Sequence, residues 1–444
     1  MAKIPSIVVE PPGPKAKELI KRDNRFLSPS LTRTSPLVGV EAEGVWVKDI
    51  DGNIYLDFGS GIAVASVGHR HPRVVQTIKE QVEKLIFVNS CDYYTVPQVD
   101  LAEKLFQITP GNFQKRVFYG NSGTEAVECA LKVAKWHTRR FYFISFINSF
   151  HGRTLGSLAF TTTSLSAREG FQPMMPGVIY TPYAYCYRCP FKLEYPECGI
   201  WCLDFLEEQI FGHVAPPKEV AGILFEPIQG AGGYIVPPPE FIQGLRRIAD
   251  EHGILLIDDE VQAGMGRTGK WWAIEHFKVT PDIICIAKAL AAGFPIGACI
   301  SRADTMDWQP GAHENTLGGN PVLCRVALTV IDIIEKERLM ENAAKIGEYM
   351  MKRFREMMDS YETIGDVRGK GLMLGIEFVK DRRTKEPHIE AKRKVIEKAF
   401  KKGLLLLGAG KSGLRIAPPL IITEEEVDVG LNIFEEVLKE IGLP

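Results

Sequence analysis

The sequence predicts an α/β protein, in which a mostly parallel sheet covered by helices forms a large domain and the two ends of the chain combine into a smaller α+β subdomain. Three observations carry this. Short runs that are apolar throughout alternate with helical patterns across the middle of the chain, as strands buried on both faces do. After Asn320-Pro321 the pattern changes to long charged helices and then a glycine-rich strand region at 365–378. At 444 residues, 45% hydrophobic and 24% charged, the chain can bury a large core and falls outside the disordered and fibrous classes.

Taken in order, the opening stretch MAKIPSIVVEPPGPKAKELIKR is interrupted by prolines and charges and lacks the apolar core of a signal peptide. Residues 1–65 are assigned to the small subdomain, 66–325 to the large domain and 326–444 to the C-terminal part of the small one. Strands are expected at VFYG before residue 121, AGILFEP near 222–227, GILLIDDE at 253–260 and DIICIAK at 282–288. Ligands of such sheets bind outside the carboxyl ends of the strands. Those ends carry Glu226, Asp258, Asp259, Glu260 and Lys288, so four carboxylates and a lysine are expected on one rim. The segment NSGTEAVECALKVAKW at 121–136 starts a helix: Ser122 and Glu125 make a capping-box pattern, and Ala126, Val127, Ala130, Val133 and Ala134 its buried stripe. A second capping box, Thr423 and Glu426, opens the last helix, whose apolar face is Val427, Leu431, Phe434, Leu438 and Ile441.

A formal net charge of -2, with no long run of like charge, leaves no electrostatic footprint for nucleic acid or an anionic membrane. No apolar run approaches the roughly 18 residues of a membrane span, and a cytoplasmic protein is expected. Nine cysteines, an odd number without a signal peptide, read as free thiols. Four of them, Cys186, Cys189, Cys198 and Cys202, have the spacing C-x2-C-x8-C-x3-C, which leaves a metal site or disulfides open. The middle interval is short for a zinc ribbon, so we read an aromatic, proline-rich surface loop and assign no metal ligand.

The chemistry gathers in the middle of the chain. The helix start at residue 123 presents free amides, Gly123 permits close approach, and Ser122 and Thr124 add hydroxyls, a combination that fits a phosphate. Lys288 leaves an apolar strand within AKALAAGFPIG, and a lysine there needs a reason. Condensation with an aldehyde supplies one, because it removes the ammonium charge that burial penalises. Asp259, 29 residues earlier, offers a carboxylate for a protonated pyridine nitrogen. Phe150 in SFHGRT offers a face for a flat ring, and Arg415 in GLRIAPPL a bidentate fork for a carboxylate. Together they describe a site for pyridoxal 5′-phosphate.

From about residue 40 to its end the chain resembles the class III (ornithine/4-aminobutyrate-type) aminotransferases, pyridoxal-phosphate enzymes of fold type I. The resemblance is carried by DGNIYLDFGSGIAV, GHRHP, NSGTEAVE, FHGRT, EPIQGAGG, DDEVQAGMGRTG, AKALAAGFPIG, TLGGNP, DVRGKGLMLGIE and LRIAPPL. It implies that Lys288 is the lysine joined to the cofactor, Asp259 the partner of the pyridine nitrogen and Gln262 that of the ring hydroxyl. It places Ser122, Gly123 and Thr124 at the phosphate, Phe150 and Val261 on the ring, and Glu226 among the cofactor-binding residues. Thr316 matches a threonine that reaches the phosphate in a neighbouring subunit, so a homodimer or a dimer of dimers is implied.

Arg415 matches the arginine that binds the substrate α-carboxylate. Where many ornithine and 4-aminobutyrate enzymes read EPxQGE, this chain has Ala231. In those relatives the second glutamate covers the arginine while an ω-amine substrate is bound. Ala231 has no such group, which favours substrates reacting at the α-amino group, with a keto acid such as 2-oxoglutarate as acceptor. The chief rival is racemisation of α-amino acids, for which an acid at position 231 is a natural second proton donor. A regulator built on the same fold would need a DNA-binding extension, and the roughly 40 residues before the family match are proline-rich with no helix-turn-helix pattern. A nicotinamide enzyme is a weaker reading still, because no G-x-G-x-x-G follows the first strand of this chain.

Overall fold

Seven short runs between residues 115 and 302 form one sheet in the computed structural model, which describes residues 4–442. They are β1 (Lys115–Gly120), β2 (Tyr142–Phe146), β3 (Val178–Thr181), β4 (Val220–Phe225), β5 (Leu255–Asp259), β6 (Ile283–Ile286) and β7 (Gly297–Arg302), lying side by side in the order β1-β7-β6-β5-β4-β2-β3. Neighbours from β6 through to β3 are parallel. β7 runs antiparallel to both β1 and β6. The sheet is therefore mostly parallel, and the carboxyl ends of β1, β2, β4, β5 and β6 share one edge with the start of β7.

Helices cover the sheet for the reason their sequences give. In α1 (Gly123–Thr138) the stripe Ala126, Val127, Ala130, Val133 and Ala134 is fully buried in one cluster with Phe143, Leu224, Ile257 and Cys285 of the strands. These small side chains let the helix approach the sheet closely. In α2 (Pro239–His252) Phe241, Ile242, Leu245, Ile248 and Ala249 are buried, and Gly253 in the left-handed region (φ 60°) stops the helix just before β5. The long helical stretch after Asn320 breaks at Arg338 (φ 53°) into α3 (Pro321–Lys336) and α4 (Leu339–Ser360).

The chain divides into two units, one from both ends of the sequence, up to Pro72 and from Glu341, and one spanning Arg73–Met340. The boundary expected between residues 325 and 326 falls inside α3, whose apolar face packs on the helix Val96–Ile108 and so keeps it with the sheet. The other unit holds two four-stranded sheets. In one, Gly39–Glu43, Trp46–Asp49 and Ile54–Asp57 form an antiparallel meander joined in parallel by Leu404–Leu405. In the other, Ile364–Lys370, Met373–Phe378, Gly413–Ile416 and Leu407–Ala409 are antiparallel. The last helix, Glu424–Glu440, has the Thr423–Glu426 capping box, and Ile441 is its C-cap rather than part of its buried face. No helix among the described residues is long and apolar enough to cross a membrane.

Candidate active site

The loops that leave the shared edge of the sheet carry the site. After β1 the chain turns into α1 with Ser122 as N-cap, its Oγ accepting from Glu125 N at 3.3 Å. The Glu125 carboxylate bonds Asn121 N (2.9 Å) rather than the cap residue, so only half of the expected capping box forms. The amides of Gly123 and Thr124 have no acceptor within the helix and point out of its N-terminus. A Cβ on Gly123 would come within 2.8 Å of Val261 Cγ1, so glycine is what keeps this cradle open. The Thr124 hydroxyl joins those of Thr154 (2.8 Å) and Ser157 (2.5 Å). The Ser122 hydroxyl keeps its own proton to donate.

Two consecutive residues after β2 meet the ends of β4 and β5. Phe150 N donates to Glu226 Oε1 (2.8 Å), and Gly230 N to Glu226 Oε2 (2.7 Å). His151 Nδ1 lies 2.7 Å from Asp259 Oδ2, with the imidazole wholly enclosed, and Asp259 Oδ1 accepts from Val261 N at 3.1 Å. His151 is a site residue that sequence reasoning missed, although it stands beside Phe150 in FHGRT. The Phe150 ring is half-buried, with the Arg153 guanidinium 5.7 Å from its centre. Burial pushes the Glu226 carboxyl up to about 7, against His151 and the two amide donors, which pull it down.

The four expected carboxylates do not share the rim. Side chains alternate along a strand, so Asp258 and Glu260 leave Asp259 on the opposite side and are buried in the interior. Glu260 Oε1 accepts from Ile274 N at 2.8 Å, while neither Asp258 oxygen has a partner among the described residues. Burial drives both carboxyls above the usual range, with the charges of Glu260 and Asp259 adding to it at Asp258 and those of Glu275 and Asp259 at Glu260. They are interior acids rather than part of the site.

Lys288 follows β6 at the start of a single turn, Lys288–Ala291, and is half-buried. Its φ of 38° is uncommon for a side chain beyond Cβ and persists only where surroundings hold it. Gln262 is buried and its Oε1 accepts from Tyr234 OH at 3.1 Å. Thr316 is exposed, on a loop tied down by Asn315 Nδ2 to Tyr119 O (2.8 Å) and by Gly318 N to Asn315 Oδ1. Arg415 lies in the other unit on the strand Gly413–Ile416, and its buried Nε has no partner among the described residues. The nine cysteines are free thiols, and Cys202 is buried with its thiol pushed up to about 12, chiefly by burial.

The model of the class III aminotransferase family matches residues 29–438. An alanine/serine racemase from Pyrococcus horikoshii is 42% identical, over 98% of this chain and 93% of that protein. A probable 4-aminobutyrate aminotransferase from Bacillus subtilis is 38% identical over 94% and 96% respectively. Among solved structures, a thermostable (S)-enantioselective omega-transaminase from Thermomicrobium roseum superposes with a TM-score of 0.88 and 32% identity, covering 96% of this chain and 99% of that one. The chain belongs to the class III aminotransferases, pyridoxal-phosphate enzymes of fold type I.

Proposed function

We propose that this enzyme is an aminotransferase acting on the α-amino group of amino acids, with a keto acid such as 2-oxoglutarate as acceptor. The residues present fit the cofactor. The α1 cradle needs a glycine at 123, and His151 braces the Asp259 carboxylate from a fully buried position. Ser122, Gly123 and Thr124 would hold the phosphate, Asp259 the pyridine nitrogen and Gln262 the ring hydroxyl, with Phe150 and Val261 on the ring. Glu226 would set the backbone of Phe150. Thr316, exposed on its loop, would reach the phosphate bound in a partner subunit of a homodimer. When bound, the cofactor supplies an electron sink for the charge left by loss of a proton from the substrate Cα. Lys288 would hold the cofactor and move that proton; Arg415 would orient the α-carboxylate.

One observation carries the substrate reading. Ala231 sits in a turn closed by two hydrogen bonds between Gln229 and Ile235 (3.1 and 3.0 Å) and braced by Asn148 Nδ2 to Gly232 O (3.0 Å). The resemblance implies that a glutamate at residue 231 covers the arginine, and with Ala231 in its place Arg415 would stay available in both half-reactions. Turnover of single α-amino acids compared with 4-aminobutyrate tests this. Faster turnover of α-amino acids is expected, and a preference for 4-aminobutyrate or the δ-amine of ornithine overturns it.

Racemisation is the second reading, favoured by the 42% identity to an alanine/serine racemase. Reprotonation from the opposite face needs a second acid. No acid stands at residue 231 to supply it, so racemisation would have to use water or Lys288 alone, which tilts the reading toward transamination.

A further inference from the structure

The turn after β4 ends in a residue whose conformation is unusual. Tyr234 has φ 52°, in the left-handed region that disfavours a large side chain, yet its ring is wholly buried. The backbone that holds it there is closed on itself, with Gly233 N and Tyr234 N both donating to Gly230 O (3.1 and 3.2 Å) and Gly230 N held by Glu226. The strain places one polar atom: Tyr234 OH donates to Gln262 Oε1 at 3.1 Å.

That contact decides which way the Gln262 amide faces. A primary amide carries an acceptor on one side and two donors on the other, and without a fixed partner it rotates through half a turn. With Oε1 committed to Tyr234, Nε2 is turned to the opposite side, against Gly230, where an added Cβ would come within 2.3 Å of it. A donor facing the cofactor's ring oxygen stabilises negative charge there, whereas an acceptor repels it. We propose that Tyr234 is a positioning residue that holds Gln262 with Nε2 presented to the ring oxygen of pyridoxal phosphate. The proposal rests on the assignment of Gln262 to that oxygen.

The test uses the holoenzyme and two readouts other than turnover: the pH at which the visible band of the bound cofactor titrates, and cofactor affinity measured by reconstituting the apoenzyme. Tyr234→Phe keeps the ring and removes the donor. A ring oxygen that loses its donor binds the proton it shares with the lysine nitrogen more tightly. The titration midpoint should rise by about 0.5–1 pH unit and the affinity fall about three- to tenfold, the worth of one hydrogen bond. Gly230→Ala, which pushes on Nε2 directly, should move the midpoint the same way and serves if Tyr234→Phe does not fold. In Gln262→Leu the midpoint should rise at least as far, and adding Tyr234→Phe to it should change nothing more. If Gln262→Leu shifts both readouts and folded Tyr234→Phe or Gly230→Ala shifts neither, Tyr234 has no such role. If Gln262→Leu itself shifts neither, the assignment of Gln262 falls, and the proposal with it.

Discussion

Asp258 and Asp259 are adjacent in sequence and do opposite work. Asp259 is held at the rim by His151 and Val261 N, which occupy one lone pair on each oxygen and leave others for a ligand. Asp258 faces the interior with Glu260, where burial raises both carboxyls above the usual range. The sequence showed DDE but not which carboxylate faced the ligand, because that depends on strand register rather than composition. Glu260 has its pKa raised on folding, so the folded chain binds the proton more tightly than the unfolded one. Its contribution to stability is complete below the unfolded value near 4.5 and is lost as pH rises through the raised value. Glu260→Gln keeps the acceptor for Ile274 N and cannot ionise. Its melting temperature should fall less than that of the unmodified protein between acid and mildly alkaline pH; equal slopes would refute the assignment. His151→Phe takes the donor from Asp259 and should lower kcat/KM by roughly 10- to 100-fold, the worth of a hydrogen bond to a charged group. An unchanged kcat/KM would leave His151 a packing residue.

At the scale of elements, strands buried on both faces were legible because an unbroken apolar run has few other uses. β4, β5 and β6 were found from ILLID-like runs, and α1 from its cap and alanine stripe. β7 was not, because GACISR is short, half polar in appearance and antiparallel to its neighbours. The reach of His151 to Asp259 and of Tyr234 to Gln262 spans 108 and 28 residues, which no local pattern encodes. Gly123 tests the cradle. Gly123→Ala brings a Cβ within 2.8 Å of Val261 Cγ1 and should weaken cofactor binding without removing a single polar contact, as measured by reconstitution of the apoenzyme. Affinity equal to that of the unmodified protein would place the phosphate elsewhere. In the turn after β4, Ala231→Glu should shift preference from α-amino toward ω-amino substrates by masking Arg415 through a charge-assisted pair. An unshifted ratio of alanine to 4-aminobutyrate turnover would break the link between the two positions.

For the whole molecule, the family and its cofactor follow from motifs spread from Asp51 to Leu420 and from a family model that matches residues 29–438, whereas the reaction does not. This chain is similar both to an alanine/serine racemase and to a probable 4-aminobutyrate aminotransferase, and the two proposed reactions differ in whether Cα must be reprotonated from the second face. The cysteine loop carries none of the residues assigned to the cofactor or the substrate. Replacing Cys186, Cys189, Cys198 and Cys202 with Ser should leave kcat nearly intact while lowering the melting temperature, chiefly through buried Cys202. Loss of turnover in that variant would tie the loop to the chemistry. The central claim is that single L-amino acids are transaminated, and it is tested most directly by incubating the holoenzyme with each one, with and without 2-oxoglutarate, and separating D-amino, L-amino and keto acids. Transamination predicts keto acid and glutamate in equal amounts over many turnovers only when 2-oxoglutarate is present, with no accumulation of the D-enantiomer. Steady formation of the D-enantiomer without an acceptor would contradict it.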